Sequence, residues 1–268
     1  GPGLESGIHR PGGRMTPYSK AKEAYKRDGF VTGIDVFSSE KIEKYRMCFD
    51  ELEKREGRER CQISIQGWHF QERFIWEMAA DARLLDLIET IMGGDILLLS
   101  THFFCKYPDP GGEKFVAWHQ DVTYWGLEPP VAHTAWIAID DSDIENGCMK
   151  GIPGSHRAGI FSHGKSEKRG NILSINQQIP EERLDTHRAV NLELKAGQVS
   201  IHQGCLVHAS APNLSTRRRC GLTVRYIPPH VRQTTENSYN QTWQPILVRG
   251  VDSYRHFSET PPPFSLRK

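Results

Sequence analysis

Two histidines and an aspartate, His119, Asp121 and His208, followed eleven residues later by Arg219, are the residues of this chain best suited to chemistry. Two imidazoles and one carboxylate can occupy one face of an Fe(II) ion and leave the opposite positions open. Non-haem iron enzymes activate oxygen with that arrangement. An arginine on a following strand suits a dicarboxylate co-substrate, which its planar fork grips through two charge-assisted bonds. The H-x-D pattern alone is weak: with twelve histidines and Asp at roughly one residue in twenty, about half a match arises by chance. Its surroundings strengthen it. His119 and Asp121 stand two apart in a strand-like run, which would point both side chains to one face. After His208, a turn at Pro212-Asn213 would return the next strand alongside the first. Arg219 would then come back to the metal, with Ser210 adding a hydroxyl. Alternation places Arg219, Gly221, Thr223 and Arg225 on one face, so Arg225 is a second candidate for holding an anionic group, or else forms an ion pair.

The elements that must position these residues change character near Gly94. Tyr18 to Asp28 reads as a short charged helix closing at Gly29, followed by an extended run from Phe30 to Phe37. Ser38-Ser39 offers N-caps for a helix to about Glu56, in which Ile42, Tyr45, Phe49 and Leu52 recur at helical spacing. Asp81 caps another helix carrying Leu84, Leu85, Leu87, Ile88 and Ile91, stopped by Gly93-Gly94. Beyond it come short β-branched or aromatic runs: Ile96 to Tyr107, Trp118 to Tyr124, Thr134 to Asp140, Val190 to Leu194, Val199 to His202 and Leu222 to Ile227. Helices first and many short strands after predict a mainly β fold, a double-sheet barrel with helices flanking one face. Phe161 to His187 is polar and weakly patterned and is expected to be a long loop of the kind that forms lids.

Composition narrows the class. A net charge of +1 provides no field for nucleic acid or a membrane surface, and no apolar run reaches the ~18 residues a membrane span needs. Six scattered cysteines without a C-x-x-C pair fit small hydrophobes in a reducing, cytoplasmic setting better than disulfides or a zinc framework. In that setting the N-x-S/T matches at Asn213 and Asn240 carry no weight. Residues 1–14 read as an expression remnant, with Met15 the native start and residues 15–268 one domain. A small-molecule substrate is expected, with no obligate protein partner evident.

Several stretches together resemble the phytanoyl-CoA dioxygenase family of Fe(II)/2-oxoglutarate oxygenases. They are Trp118-His119-Gln120-Asp121 with Tyr124, Trp136-Ile137-Ala138-Ile139-Asp140-Asp141, Glu145-Asn146-Gly147-Cys148, Pro153-Gly154-Ser155-His156, and His208 through Arg219. The similarity runs from about Asp28 to the end of the chain. Leu247-Val248-Arg249-Gly250-Val251-Asp252 is similar to a subgroup that includes carrier-dependent halogenases, which lack the carboxylate ligand; the presence of Asp121 argues against halogenation. The resemblance implies a double-stranded β-helix (jelly-roll, cupin-like) core, a metal held by His119, Asp121 and His208, and Arg219 on the distal carboxylate of 2-oxoglutarate. Ser210 and Thr134 would assist, and His102 and Lys106 would border that pocket. It further implies use of Fe(II) and O2 to hydroxylate a C–H bond of a small polar metabolite or natural-product intermediate, with release of succinate and CO2. Desaturation or ring closure are the other outcomes of that chemistry. Trp118 and Tyr124, with Trp68, Phe70, Phe74 and Trp125, are candidate pocket walls, able to hold an apolar chain or a cationic amine.

Other motifs compete less well. Gly159 to Ser166 matches a phosphate-binding loop formally, but neither a buried strand leading in nor a helix leading out is apparent. Ser155-His156 lacks a nucleophile elbow. A zinc hydrolase could use the same three ligands but would leave Arg219 without a task. A degenerate barrel kept as a scaffold would need neither ligands nor arginine.

Overall fold

The computed structural model describes residues 18–161, 163–166, 168–173, 177–234 and 242–265. Residues 1–14, Met15 and Asn240, on which expectations were placed, therefore lie outside the described residues. Five α-helices precede or interrupt the early chain: α1 (Ala21–Asp28), α2 (Ser39–Glu56), α3 (Arg58–Ile63), α4 (Arg73–Ala79) and α5 (Ala82–Met92). Their ends follow the capping chemistry in the sequence. Ser38 Oγ accepts from the Lys41 amide, and Asp81 accepts from the Arg83 and Leu84 amides. Gly29 closes α1 in the left-handed conformation at φ 82°. The α3 and α4 helices were not anticipated; each is under two turns long, too short for an apolar period to emerge.

Ten strands build two antiparallel sheets: β1 (Phe30–Asp35), β2 (Ile96–Lys106), β3 (Val116–His119), β4 (His133–Ala138), β5 (Met149–Gly151), β6 (Val190–Asn191), β7 (Gln198–Gln203), β8 (His208–Ser210), β9 (Arg219–Ile227) and β10 (Ile246–Arg249). The larger sheet runs β1-β7-β4-β9-β2-β10 and the smaller β3-β8-β5-β6. Both line one cavity, so they face each other as the two walls of a jelly roll.

Strand alternation separates core from site. On β9, Cys220, Leu222, Val224 and Tyr226 enter the main apolar cluster with Phe49, Leu52, Leu84 and Ile88 of the helices. Arg219, Thr223 and Arg225 point the other way, into the cavity. β4 repeats the pattern: Ala135 and Ile137 join the cluster while Thr134 and Trp136 line the cavity. Each fully buried Leu or Ile of α5 stabilises by about 1.5–3 kcal/mol, so the helices brace the larger sheet from outside and leave its inner face for chemistry.

Two expectations need correction. The chain after Pro212-Asn213 does not return alongside β8. It crosses to the opposite sheet, where β9 pairs with β2 and β4. The buried Asn213 secures the crossing: its amide donates to the Lys106 and Arg217 carbonyls, at 3.1 and 2.6 Å. The 161–187 segment is also not wholly irregular, because Gly164–Lys165 pairs with Gln177–Gln178. No α-helix follows Lys165 among the described residues, which removes the phosphate-loop reading.

Candidate active site

His119 ends β3 and His208 begins β8, directly opposite each other in the ladder. Asp121 is not on the strand. It sits in helical backbone (φ −70°, ψ −51°) at the head of a 3-10 turn, Val122–Tyr124. The turn, rather than strand alternation, therefore swings its carboxylate between the two rings. Asp121 Oδ1 lies 3.1 Å from His119 Nε2 and 3.3 Å from His208 Nε2. The three ligand atoms fall within 4.8 Å of one another.

The ring orientations test whether a metal fits. His119 Nδ1 donates to the Ala117 carbonyl at 2.8 Å, and His208 Nδ1 donates to the Leu206 carbonyl at 2.9 Å. In the neutral rings both Nε2 lone pairs then face the Asp121 oxygen, so three acceptors converge on one buried spot. A divalent cation satisfies all three, and backbone-tethered imidazoles are the usual outer support of a metal site. Electrostatics agree. Burial raises the Asp121 pKa, but His208, His119 and His202 outweigh it and hold the carboxyl well below its ordinary value. Burial lowers His208, yet the Asp121 charge leaves it raised overall, while burial and His208 push His119 down.

His202 was missed in the sequence. Its Nε2 donates to Asp121 Oδ2 at 2.9 Å, holding the carboxylate so that the other oxygen stays turned to the ligand spot. Burial, then the nearby His208, lowers its pKa to about 4, so it serves as a neutral donor. The only sequence signal was its place in β7, one residue past the apolar Val199-Ile201 pattern and on the opposite face. His202→Ala should weaken Mn(II) binding by about 10–100-fold, the usual effect of losing an outer-sphere partner. Equilibrium dialysis reads this directly, and an unchanged affinity would remove His202 from the site.

Opposite the ligand set lies a cationic recess. The run Arg217-Arg218-Arg219 divides its charges. Arg217 pairs with Asp143 at 2.8 Å, and Arg218 with Asp140 and Asp50, each at 2.8 Å. Arg219 turns inward, only 2% exposed, and among the described residues has no acidic partner within ion-pair distance. Its guanidinium donates to the Gly147 carbonyl at 2.6 Å and lies 5.2 Å above the Trp136 ring. Gly221 makes room for that ring, since a Cβ there would come within 2.2 Å of it. Lys106, in register with Arg219, donates to the Gly147 carbonyl at 3.1 Å, to Ser210 Oγ at 2.6 Å and also to the Ala211 carbonyl. Burial lowers Arg219 to about 10; burial and then the Arg219 charge pull Lys106 well below its ordinary value. Arg219 Nε and Thr134 Oγ1 are buried without a hydrogen-bond partner among the described residues. A buried guanidinium with an orphaned donor, beside the buried Lys106 and an orphaned hydroxyl, fits an anionic oxygen ligand.

The cavity joining ligand set and recess measures about 50 Å³ and includes Thr134, Trp136, Ser210 and Arg219. A second cavity, about 40 Å³, shares His119 and Asp121 but is walled by His102, Trp125, Gln177 and Arg225. His102 thus borders this second space rather than the arginine recess, its Nε2 held by the Ile63 carbonyl. Trp118 faces away from His119 by strand alternation and packs with Ile152, Ile179 and Val207. Tyr124 stacks edge-on with His163, Trp68 packs against the main core, and Phe70 is 38% exposed. Phe74 is buried in that core. None of these five lines either cavity; of the proposed aromatic walls, Trp125 does. Ser155 Oγ accepts from the Val207 amide and His156 Nε2 donates to the Lys26 carbonyl, so that pair has structural roles.

Gln120, between two ligands, is fully buried. Its Nε2 donates to the Gly159 and Cys205 carbonyls, its Oε1 accepts from the Phe161 amide, and its own amide donates to His163 Nε2. The segment resembling a phosphate loop is in fact pinned onto the ligand turn. Gln120→Ala strands those groups and should lower stability by about 1–3 kcal/mol, measured as a lower urea midpoint with unchanged slope.

A model of the phytanoyl-CoA dioxygenase (PhyH) family matches residues 25–221. The chain belongs to this family. It is 32% identical over 155 residues to the phytanoyl-CoA dioxygenase domain-containing protein 1 homolog of Dictyostelium discoideum, a match covering 56% of this chain and 53% of that one. The chain therefore spans about half the length of that PhyH relative. Against the L-proline trans-4-hydroxylase of Streptomyces griseoviridis the identity is 26% over 234 residues, covering 78% and 86%. Among solved structures, the apo form of the non-heme monooxygenase ThoJ superposes with a TM-score of 0.71 at 25% identity, covering 90% of this chain and 87% of that one. The fold of this PhyH protein is thus the jelly roll of non-haem oxygenases, and among the described residues no helix is long and apolar enough to cross a membrane.

Proposed function

We propose that this PhyH-family protein is an Fe(II)- and 2-oxoglutarate-dependent oxygenase that hydroxylates an unactivated C–H bond of a small polar metabolite or natural-product intermediate. The observation that carries the reading is the convergence of a two-histidine, one-carboxylate set with the buried Arg219 across one 50 Å³ cavity. When bound, iron with 2-oxoglutarate and O2 supplies the oxidising power, the keto acid leaving as succinate and CO2 while one oxygen atom reaches the substrate. The chain's own residues supply position and seclusion. His119 and His208 present Nε2 because their Nδ1 protons are held by backbone carbonyls. Asp121 is aimed by His202. Arg219 and Lys106, with the Ser210 and Thr134 hydroxyls, would take the distal carboxylate. Trp136, Met149 and Leu173 wall the cavity against water.

The name of the proline hydroxylase relative and the small cavity both favour a compact substrate over an acyl-CoA. A zinc hydrolase would leave two buried cations without a role, and a scaffold would bear their cost for nothing. Six free cysteines suit a reducing, cytoplasmic setting. Anaerobic titration of metal-stripped protein with Fe(II) and 2-oxoglutarate tests the reading. A weak visible charge-transfer band of a chelated keto acid is expected. Folded, iron-loaded protein without that band would overturn it.

A further inference from the structure

One wall of the second cavity comes from the 161–187 segment, which is fastened to the ligand strand β3 at two points. Phe115 and Asn171 are bridged, and Asn171 Oδ1 accepts from the Ala117 amide at 3.2 Å. Further on, the Ile179 amide donates to the Trp118 carbonyl at 2.7 Å, and Ile179 is fully buried against that residue. Gln177 lies between these anchors in the chain. It pairs with Lys165, and its carbonyl accepts from Asn171 Nδ2 at 3.1 Å. The Gln177 side chain, 5% exposed, lines the cavity beside His119 and Asp121. Its Oε1 is the one buried acceptor on that wall without a hydrogen-bond partner among the described residues. An unpaired buried acceptor is costly, and a donor from a bound molecule would satisfy it.

The other polar groups of this cavity are committed. His119 and Asp121 belong to the ligand set, and Asp121 is the only acidic wall among the described residues. His102 donates through Nε2 to the Ile63 carbonyl, and burial lowers its pKa to about 3, so it stays neutral. Arg225 is stacked on Trp125 and already engaged by its surroundings. Its charge, added to that of a metal, makes the space unfavourable for a cation. Gln66 is exposed. The volume of about 40 Å³ is far below the 300–1,000 Å³ of sites for drug-sized ligands, so a small group is all it admits.

We propose that Gln177 is a specificity-determining residue of this site, and that the substrate group beside the ligand set carries an uncharged N–H or O–H donor, an amide or an alcohol, received by Gln177 Oε1. The inference rests on the oxygenase reading. A cationic amine is rejected because its charge would face Arg225 and the metal with no free carboxylate to offset it. A neutral molecule of the same shape but without the donor leaves the buried acceptor unpaired. That asymmetry lets a hydrogen-bonding site reject the isostere of its substrate.

The test uses the whole chain loaded with 2-oxoglutarate and Zn(II), a diamagnetic stand-in for iron, and measures probe binding by saturation-transfer NMR. Each probe is matched to an isostere lacking its donor: 2-pyrrolidinone to γ-butyrolactone, and cyclopentanol to cyclopentanone. Pyrrolidine is the cationic control. At least one donor probe should bind, with its isostere at least about ten-fold weaker, the effect of one hydrogen bond to a buried acceptor. Pyrrolidine should bind no tighter than the isosteres. Gln177→Met, which keeps the length of the side chain, should bring the donor probe down to the level of its isostere. Gln177→Glu, which keeps an acceptor of the same shape, should retain the preference. Both variants should still give the keto-acid band with Fe(II). Equal binding of probe and isostere, an undiminished preference in Gln177→Met, or a lost preference in folded Gln177→Glu would each overturn the proposal. So would tightest binding by pyrrolidine, or no binding of either donor probe to a wild type that gives the band. A wild type without the band fails the oxygenase reading instead, and the probe–isostere comparison on that chain still decides whether Gln177 reads a donor.

Discussion

Asp121→Ala should abolish uncoupled conversion of 2-oxoglutarate to succinate while the protein remains folded. The variant keeps both imidazoles, whose Nδ1 atoms stay tied to the Ala117 and Leu206 carbonyls. It loses the only anionic oxygen of the ligand set, and with it the acceptor of His202. Removing an outer-sphere partner commonly reduces metal affinity by 10–100-fold, so removing the ligand that partner supports should cost at least about 100-fold. Asp121 lies in the 3-10 turn and contributes nothing to the main apolar cluster, so the thermal midpoint of the metal-free protein should move little. Mn(II) dialysis and succinate formation are the two readouts. Wild-type turnover in Asp121→Ala would remove the carboxylate from the metal site.

Arg219→Ala should have the second-largest effect, on co-substrate binding and without loss of stability in the unliganded protein. In the wild type a guanidinium is buried with, among the described residues, a carbonyl and an aromatic face as partners, an arrangement that carries a desolvation cost. A carboxylate from 2-oxoglutarate would offset that cost. Truncating one partner of such a buried charged pair typically costs 2–5 kcal/mol, so 2-oxoglutarate should bind about thirty- to several-thousand-fold more weakly. The unliganded variant should be no less stable than wild type. With metal present, 2-oxoglutarate at 100 times its Kd should stabilise the wild type by about 2.7 kcal/mol and leave Arg219→Ala unmoved. Arg219→Lys keeps charge without the fork and should recover only part. An equal thermal shift in wild type and Arg219→Ala would assign the co-substrate to other residues.

Much of this architecture was legible because it rests on local rules. Ser38, Asp81 and Gly29 mark helix ends by side-chain acceptors and left-handed backbone. The alternation of β9 separates Arg219 and Arg225 from Leu222 and Val224 because successive side chains point oppositely. What misled was also local. Trp118 sits beside a ligand and for that reason looked like a pocket wall, yet one residue along a strand is the opposite face. Phe70 and Trp68 were judged by residue type, and type does not say which surface an aromatic covers.

By itself the sequence picked out the candidate ligands, a candidate co-substrate arginine and the order of the longer helices and strands, since chemistry and short-range periodicity are written residue by residue. Only the tertiary structure decided that Asp121 reaches its partners through a turn, that β9 crosses to the far sheet, and that Arg217 and Arg218 meet acids while Arg219 meets none among the described residues. It also decided that His202 and Gln120 are hydrogen-bonded within the candidate site. Those facts depend on which distant segments the buried core forces together, and contacts between positions some eighty residues apart leave no periodic trace in either segment.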